Sequence, residues 1–275
     1  MHITHHVTNR ESVAAALTNY QQLKESATHF VKEKDPFDMK YLSQSAADVF
    51  FCKAYLGEDE PNIALRDYVE SLAARLLFSI HPNEEISYSL NGDLYSIAPA
   101  DRDYGVSMHL WNMAFFGAVL LGDSRIISSV TEMDIDKLLE ATKKAKNYTF
   151  SMARTLQAFY RKEKGYPDLL TKALEENSQV PKDSLLHDKA LDIDGPPLEL
   201  LYLFLIEDSA RFNDSLKEAL EWHRKYHQRL EKKGMADNSG LVSLPICCMV
   251  KLAKKIKGFT PEHTSDYMPE YLIKV

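Results

Sequence analysis

Cysteine is scarce. The chain has three in 275 residues, Cys52, Cys247 and Cys248, an odd number with two adjacent, which excludes a disulfide framework and predicts a reducing compartment. Glycine, with 10 residues, and proline, with 11, are also few, so the chain is neither collagen-like nor a low-complexity coil. Long hydrophobic runs are missing: Met113 to Leu121 is only about nine residues, against the roughly 20 that a helical bilayer crossing needs. The start, with His2, His5 and His6 leading into a polar helix entry, lacks the basic-then-apolar pattern of a secretion signal. The expectation is a cytoplasmic protein without a membrane partner.

Positive charge is in deficit, 33 Lys and Arg against 40 Asp and Glu, for a net charge of -7. Nucleic-acid affinity comes mainly from phosphate neutralisation by cations, so DNA or RNA is disfavoured as a partner. A basic protein partner suits this balance, as does an ordinary acidic protein with no special partner. The chain also lacks a glycine-rich phosphate loop, a Gly-x-Ser-x-Gly elbow and a dinucleotide fingerprint. No catalytic residue, cofactor or metal is expected.

Apolar residues make up 45% of the chain and recur at helical spacing. Val13, Leu17, Tyr20, Leu23, Ala27 and Phe30 share one register, predicting a helix from near Asn9 to Lys32 with that stripe on a core. Asp38 begins a second helix closed by Gly57, and Pro61 opens a third that runs to His81-Pro82. Ile86 to Ile97 alternates around Asn91-Gly92, the signature of a small hairpin, or else an ordered connection between helices; Tyr88 and Tyr95 sit on it. Helices resume near Tyr104, with an apolar one around Trp111, Phe115 and Val119. Asp134 caps Ile135 to Lys146; Phe150 to Lys164 and Pro167 to Glu176 follow. Asn177 to Gly195 is the least regular stretch. Pro196-Pro197 opens Leu198 to Arg211, and Asn213-Asp214-Ser215 is placed to cap Leu216 to Lys233. The fold class is therefore all-α: layered antiparallel helical hairpins, without strict repeats, and at most one small β-hairpin near 86–97. Residues 1–275 form one helical domain, with a soft subdomain boundary within 177–195.

The C-terminal stretch is the most specified. Asn238 and Ser239 are placed to cap a helix over Gly240 to Lys257, and Pro245 falls in its opening turn. Leu241, Leu244, Cys248, Leu252 and Ile256 form its core stripe, and Lys254, Lys255 and Lys257 meet the negative end of its dipole. Gly258 supplies the left-handed stop, after which Phe259 folds back. Gly240-Leu-Val-Ser-Leu-Pro245, the helix ending at Gly258, and Ser265-Asp-Tyr-Met-Pro269 with Leu272 behind it resemble the immunity protein 49 family. The resemblance covers residues 212–272 and rests on Gly240, Leu244, Pro245, Gly258, Ser265, Asp266, Tyr267 and Pro269. Members are bacterial cytoplasmic proteins encoded beside polymorphic toxins, which they neutralise by binding. The resemblance implies a cognate toxin domain as partner, basic if it is a nuclease.

Three constellations carry a chemical alternative. His187-Asp188, with Asp192 and Asp194 downstream, is similar to the ligand set of an HD-type phosphohydrolase, but needs a further His, and His81 and His109 lie far upstream. His223 and His227 have a metal-chelating spacing, yet lack the Glu of a zinc protease and sit on the Leu216, Leu220, Leu230 stripe, where core-edge histidines are the simpler reading. Adjacent helical positions point about 100° apart, so one of Cys247 and Cys248 should pack inward and the other face a groove. For partner binding the candidates are acids in irregular segments: Glu58, Asp59, Glu60, Asp101, Asp103, Asp188, Asp192 and Asp194. A helical scaffold with a cellular partner is the rival reading.

Overall fold

A computed structural model describes residues 1–7, 9–32, 38–58, 61–90, 92–97, 105–142, 147–235 and 237–275. The fold is all-α with small strands, as the periodicity predicts. The chain divides into two compact units, one formed by residues 9–146 and the other by residues 1–8 with 147–275. Residues 177–195 all lie inside the second unit.

The chain opens on β1 (His2–Ile3). The first unit then builds on three long helices, α1 (Arg10–Lys32), α2 (Asp38–Leu56) and α3 (Pro61–Ile80). Asn9 caps α1 by accepting from Ser12 N, and Gly57 closes α2 at φ +69°, open to glycine without strain. Helix α3 is central. Leu65, Val69, Leu72 and Leu76 are buried on one side, while Asp67, Glu70 and Arg75 are buried on others. Such charges are tolerable only when paired. Lys24 pairs with Asp67, Arg125 Nη2 donates to Glu70 at 3.0 Å, and Arg75 Nη2 donates to Gly105 O at 2.7 Å.

Strands β2 (Ile86–Leu90) and β3 (Asp93–Ile97) form the expected antiparallel hairpin. Tyr88 stacks on Tyr95 across the strands, 5.4 Å between centroids, and meets Phe78 of α3 edge-on. Buried Tyr88 and Leu90 anchor the ribbon's inner face. Helix α4 (Met108–Leu121) is apolar nearly all round and fully capped, by Ser107 and by Gly122 at φ +71°. Its Trp111 indole donates to Val130 O of α5 (Ser124–Thr131) at 3.1 Å. Asp134 caps α6 (Ile135–Thr142) as predicted.

The second unit contains α7 (Tyr148–Tyr160) and α8 (Tyr166–Ser178), then a nearly continuous helical stretch. This stretch comprises α9 (His187–Lys189), a π-helical turn (Ala190–Asp194) and α10 (Gly195–Leu205). Much of the predicted irregular segment is thus helical. The extra residue of the π turn has a cause: Asn177 Nδ2 donates to Ala190 O at 2.8 Å, alongside the Gly195 N–H that closes the wide ring.

The predicted helix from Leu198 to Arg211 breaks after Leu205, where Glu207 is left-handed at φ +61°. Asp208, rather than Asn213, caps the next helix, α11 (Ser209–Lys232). The C-terminal helix also starts later than predicted. Asp237 caps a 3-10 turn over Asn238–Leu241, and α12 (Leu244–Lys257) follows with Pro245 in its first turn. Asn238 and Ser239 therefore do not cap it. Gly258 ends it at φ +69°, and Phe259 folds back to donate to Ala253 O and meet Phe212 edge-on. Ile256 of the predicted stripe is exposed. Cys247 and Cys248 are both fully buried, the first under Tyr267 O, so neither faces a groove. The chain ends through β4 (Thr264–Ser265), which pairs parallel with β1, and α13 (Glu270–Ile273).

Candidate functional site

The tail motif is the hub of the second unit. Asp266 N donates to Ile3 O at 3.1 Å, and Ser265 Oγ donates to the same carbonyl at 2.9 Å. Tyr267 O accepts from Ser243 N, joining the tail to the entry of α12. The fully buried Tyr267 ring carries its hydroxyl to His6, accepting from His6 N at 2.7 Å with His6 Nδ1 at 2.9 Å. His5 Nε2 donates to Leu241 O at 2.7 Å, and Asp266 accepts from His5 N and from His2 Nε2. From α11, His223 donates to Gly240 O at 3.1 Å and packs 4.5 Å from His227, which stacks on His6 at 5.8 Å.

Four histidines, two from the N-terminus and two from α11, thus meet around one tyrosine. Burial, then the neighbouring His5 and Arg224, lower His6 to about 4. Burial, then His6 and Lys189, lower His227 to about 3, and burial holds His223 well below its ordinary value. All three are neutral at pH 7, engaged with one another, with backbone and with tyrosine. No group of three or more His, Cys, Asp or Glu among the described residues is arranged to hold a metal. His223 and His227 are both buried, deeper than the core edge at which the helical stripe places them. Burial also raises the Cys247 and Cys248 thiols, so neither is a nucleophile near neutral pH.

Asp59, Glu60, Asp101 and Asp103 lie outside the described residues. Glu58 is exposed just beyond α2. Asp188 is exposed but lies 3.6 Å from Arg229, which also pairs with Asp192, so the two carboxylates share one guanidinium. Asp194 is only 5% exposed and accepts from Tyr148 OH at 2.9 Å, with burial raising its pKa. It ties the π turn to α7 and is buried away from a partner. His187 Nδ1 donates to Val180 O at 2.8 Å, fastening a turn rather than waiting for an ion.

Sequence reasoning missed a groove between α1 and α2, with a volume of about 380 Å³. Tyr20, Leu23 and Phe30 of α1 line it, with Tyr41, Asp38 and Asp48 of α2. Leu23 is 58% exposed, Phe30 51% and Tyr41 51%. The periodicity puts Leu23 and Phe30 on the core stripe; Val13, Leu17, Ala27 and Val31 hold the core instead. The excess apolar width of α1 is the signal that could have found it.

The sequence matches the family of immunity protein 49 over residues 64–272. The chain belongs to this family. No curated protein and no solved structure matches it. For this immunity protein 49 member, the matched span runs from within α3 to Leu272 and includes every residue of the tail motif. The groove between α1 and α2 lies ahead of that span.

Proposed function

We propose that this immunity protein acts by stoichiometric binding to a cognate toxin and performs no reaction of its own. Family membership over residues 64–272 carries this reading. Burial and hydrogen bonding support it, because the clustered His, Cys and Tyr side chains are all engaged in holding the second unit together. The net charge of -7 favours a basic partner. A nuclease domain is the natural candidate, since its substrate surface must attract phosphates. Opposite potentials then accelerate encounter and fix orientation, while slow dissociation keeps the toxin silent. Pairs of nuclease and immunity protein reach some of the tightest affinities that non-covalent complexes attain. Within this reading the protein works in the cytoplasm, and among the described candidate acids Glu58 and Asp188 are exposed to a partner.

Co-expression tests it. Cells producing the toxin domain encoded by the neighbouring gene should survive only when this chain is present, and the two proteins should co-purify at equal stoichiometry. Equal death with and without the chain would remove the proposal.

A further inference from the structure

We infer that the outer edge of β2 seats an extended segment of the toxin, which adds to the ribbon as a third strand. One apolar side chain of that segment, the size of Leu or Phe, enters the cavity beside the edge. This rests on the immunity reading above and adds where the partner docks and in what conformation. The cavity, of about 160 Å³, lies between β2, α3 and α5. Ser87, Tyr88 and Ser89 all line it. Successive side chains of a strand point to opposite faces, so three residues in a row have only an edge in common. No described residue of β3 lines the cavity, and β3 is the one strand paired with β2. The cavity therefore borders the edge of β2 that no strand covers.

That edge carries free main-chain groups. Leu90 and Asp93 pair across a two-residue connection, so they exchange both of their ladder hydrogen bonds. By alternation Tyr88 bonds inward to Tyr95, while Ser87 and Ser89 turn their N–H and C=O away from β3. These groups bond to nothing else among the described residues. Another extended backbone is what satisfies such a row, and a pocket beside it selects the side chain. Here Ala73, Ala74 and Leu77 of α3 and Ile126 of α5 give the pocket an apolar wall. Glu70 on the same wall is already paired with Arg125 at 3.0 Å, so no cation is needed there. A cavity of about 150 Å³ holds one benzene, which is the bulk of a Leu or Phe side chain. Tyr88 is only 5% exposed, and its hydroxyl has no hydrogen-bond partner among the described residues. A buried hydroxyl left unpaired is costly, and an acceptor carried by the occupant would relieve it.

Amide exchange and calorimetry on the full chain, alone and with a catalytically inactive form of the neighbouring toxin domain, test the inference. In the complex the Ser87 and Ser89 amides should exchange at least tenfold more slowly. Ser87→Pro removes one outward N–H at an edge position that tolerates proline, and should weaken binding at least tenfold. Ala73→Leu fills the cavity without touching the ribbon and should do the same. Leu94→Pro, which removes an outward N–H from β3, is the control and should bind within twofold of the parent. The exchange measurement uses the unaltered chain, so it decides even where a variant misfolds. If the parent protects cells while both amides stay unprotected and Ala73→Leu binds within twofold of it, the edge assignment is wrong and the immunity reading survives. If the parent neither binds nor protects, both are wrong. Binding lost in Leu94→Pro but kept in Ser87→Pro would move the toxin to β3 and overturn the assignment. A parent that sediments as a dimer with these two amides already protected would give the edge to a second copy and overturn it as well.

Discussion

Gly240 leaves no room for a side chain. A Cβ there would lie 2.4 Å from His227 Nδ1 and 2.6 Å from its Cγ, well inside contact distance. The imidazole cannot swing aside, because it is stacked on His6 and packed against His223. The Gly240 carbonyl meanwhile accepts from His223. Glycine is therefore required here by close approach rather than by a left-handed backbone. Gly240→Ala should cost about 1–3 kcal/mol, the usual range for overpacking a core, and be read as a lower urea midpoint with unchanged slope. Gly240 was legible as part of the tail motif, but its reason was not. That reason lies in a histidine thirteen positions earlier, on a helix whose face toward the tail no local pattern specifies.

At the scale of elements, Asn213 shows how a polar side chain in mid-helix can fix the tail. Its Oδ1 accepts from Glu262 N at 2.9 Å, and its Nδ2 donates to Ser209 O at 3.0 Å and Thr260 O at 3.4 Å. Asn213→Ala leaves the Glu262 N–H, in a part-buried setting, without its acceptor. The expected loss is about 1–3 kcal/mol, with faster amide exchange at Glu262 as the specific sign. Read from sequence alone, Asn213 looks like a cap, since Asn-Asp-Ser commonly precedes a helix. Asp208 wins because Glu207, six residues before Asn213, adopts the left-handed turn that resets the chain. Elements specified by local chemistry were legible: the start of α1 near Asn9, the Asp134 cap, the Gly57 and Gly258 stops, and the hairpin at 86–97. Those set by distant partners were not. The β1–β4 pair joins residues over two hundred positions apart, and the π turn exists because Asn177 of α8 reaches Ala190. The α1–α2 groove was hidden for a related reason. An apolar stripe at helical spacing reads as core, and periodicity cannot tell which of its positions a neighbouring helix leaves uncovered.

For the whole molecule, the histidines make acid a selective stress on one of the two compact units. His6, His223 and His227 all belong to the unit formed by residues 1–8 and 147–275. Each has a folded-state pKa below its ordinary value of 6.5, His6 at about 4 and His227 at about 3. Between those values and 6.5 the unfolded chain binds protons that the folded chain refuses, so stability falls with falling pH over that window and is insensitive to these groups above it. Asp194 acts in the opposite sense: its raised pKa means that its ionisation opposes folding as pH rises, and protonation on acidification partly offsets the histidine loss. The three histidines should outweigh this single carboxyl from about pH 6.5 down to 5, before ordinary carboxylates titrate. The two tryptophans provide the probe, since Trp111 lies in the first unit and Trp222 in the second. In a Trp111→Phe background, the urea midpoint reported by Trp222 should drop steadily from about pH 7 to about pH 5. His227→Gln removes one of the titrating groups and should make that slope shallower, whatever it does to stability at neutral pH. A slope unchanged by His227→Gln would show that this imidazole is not held neutral by the fold, and the hub around Tyr267 would then have to be less closed than its hydrogen bonds indicate.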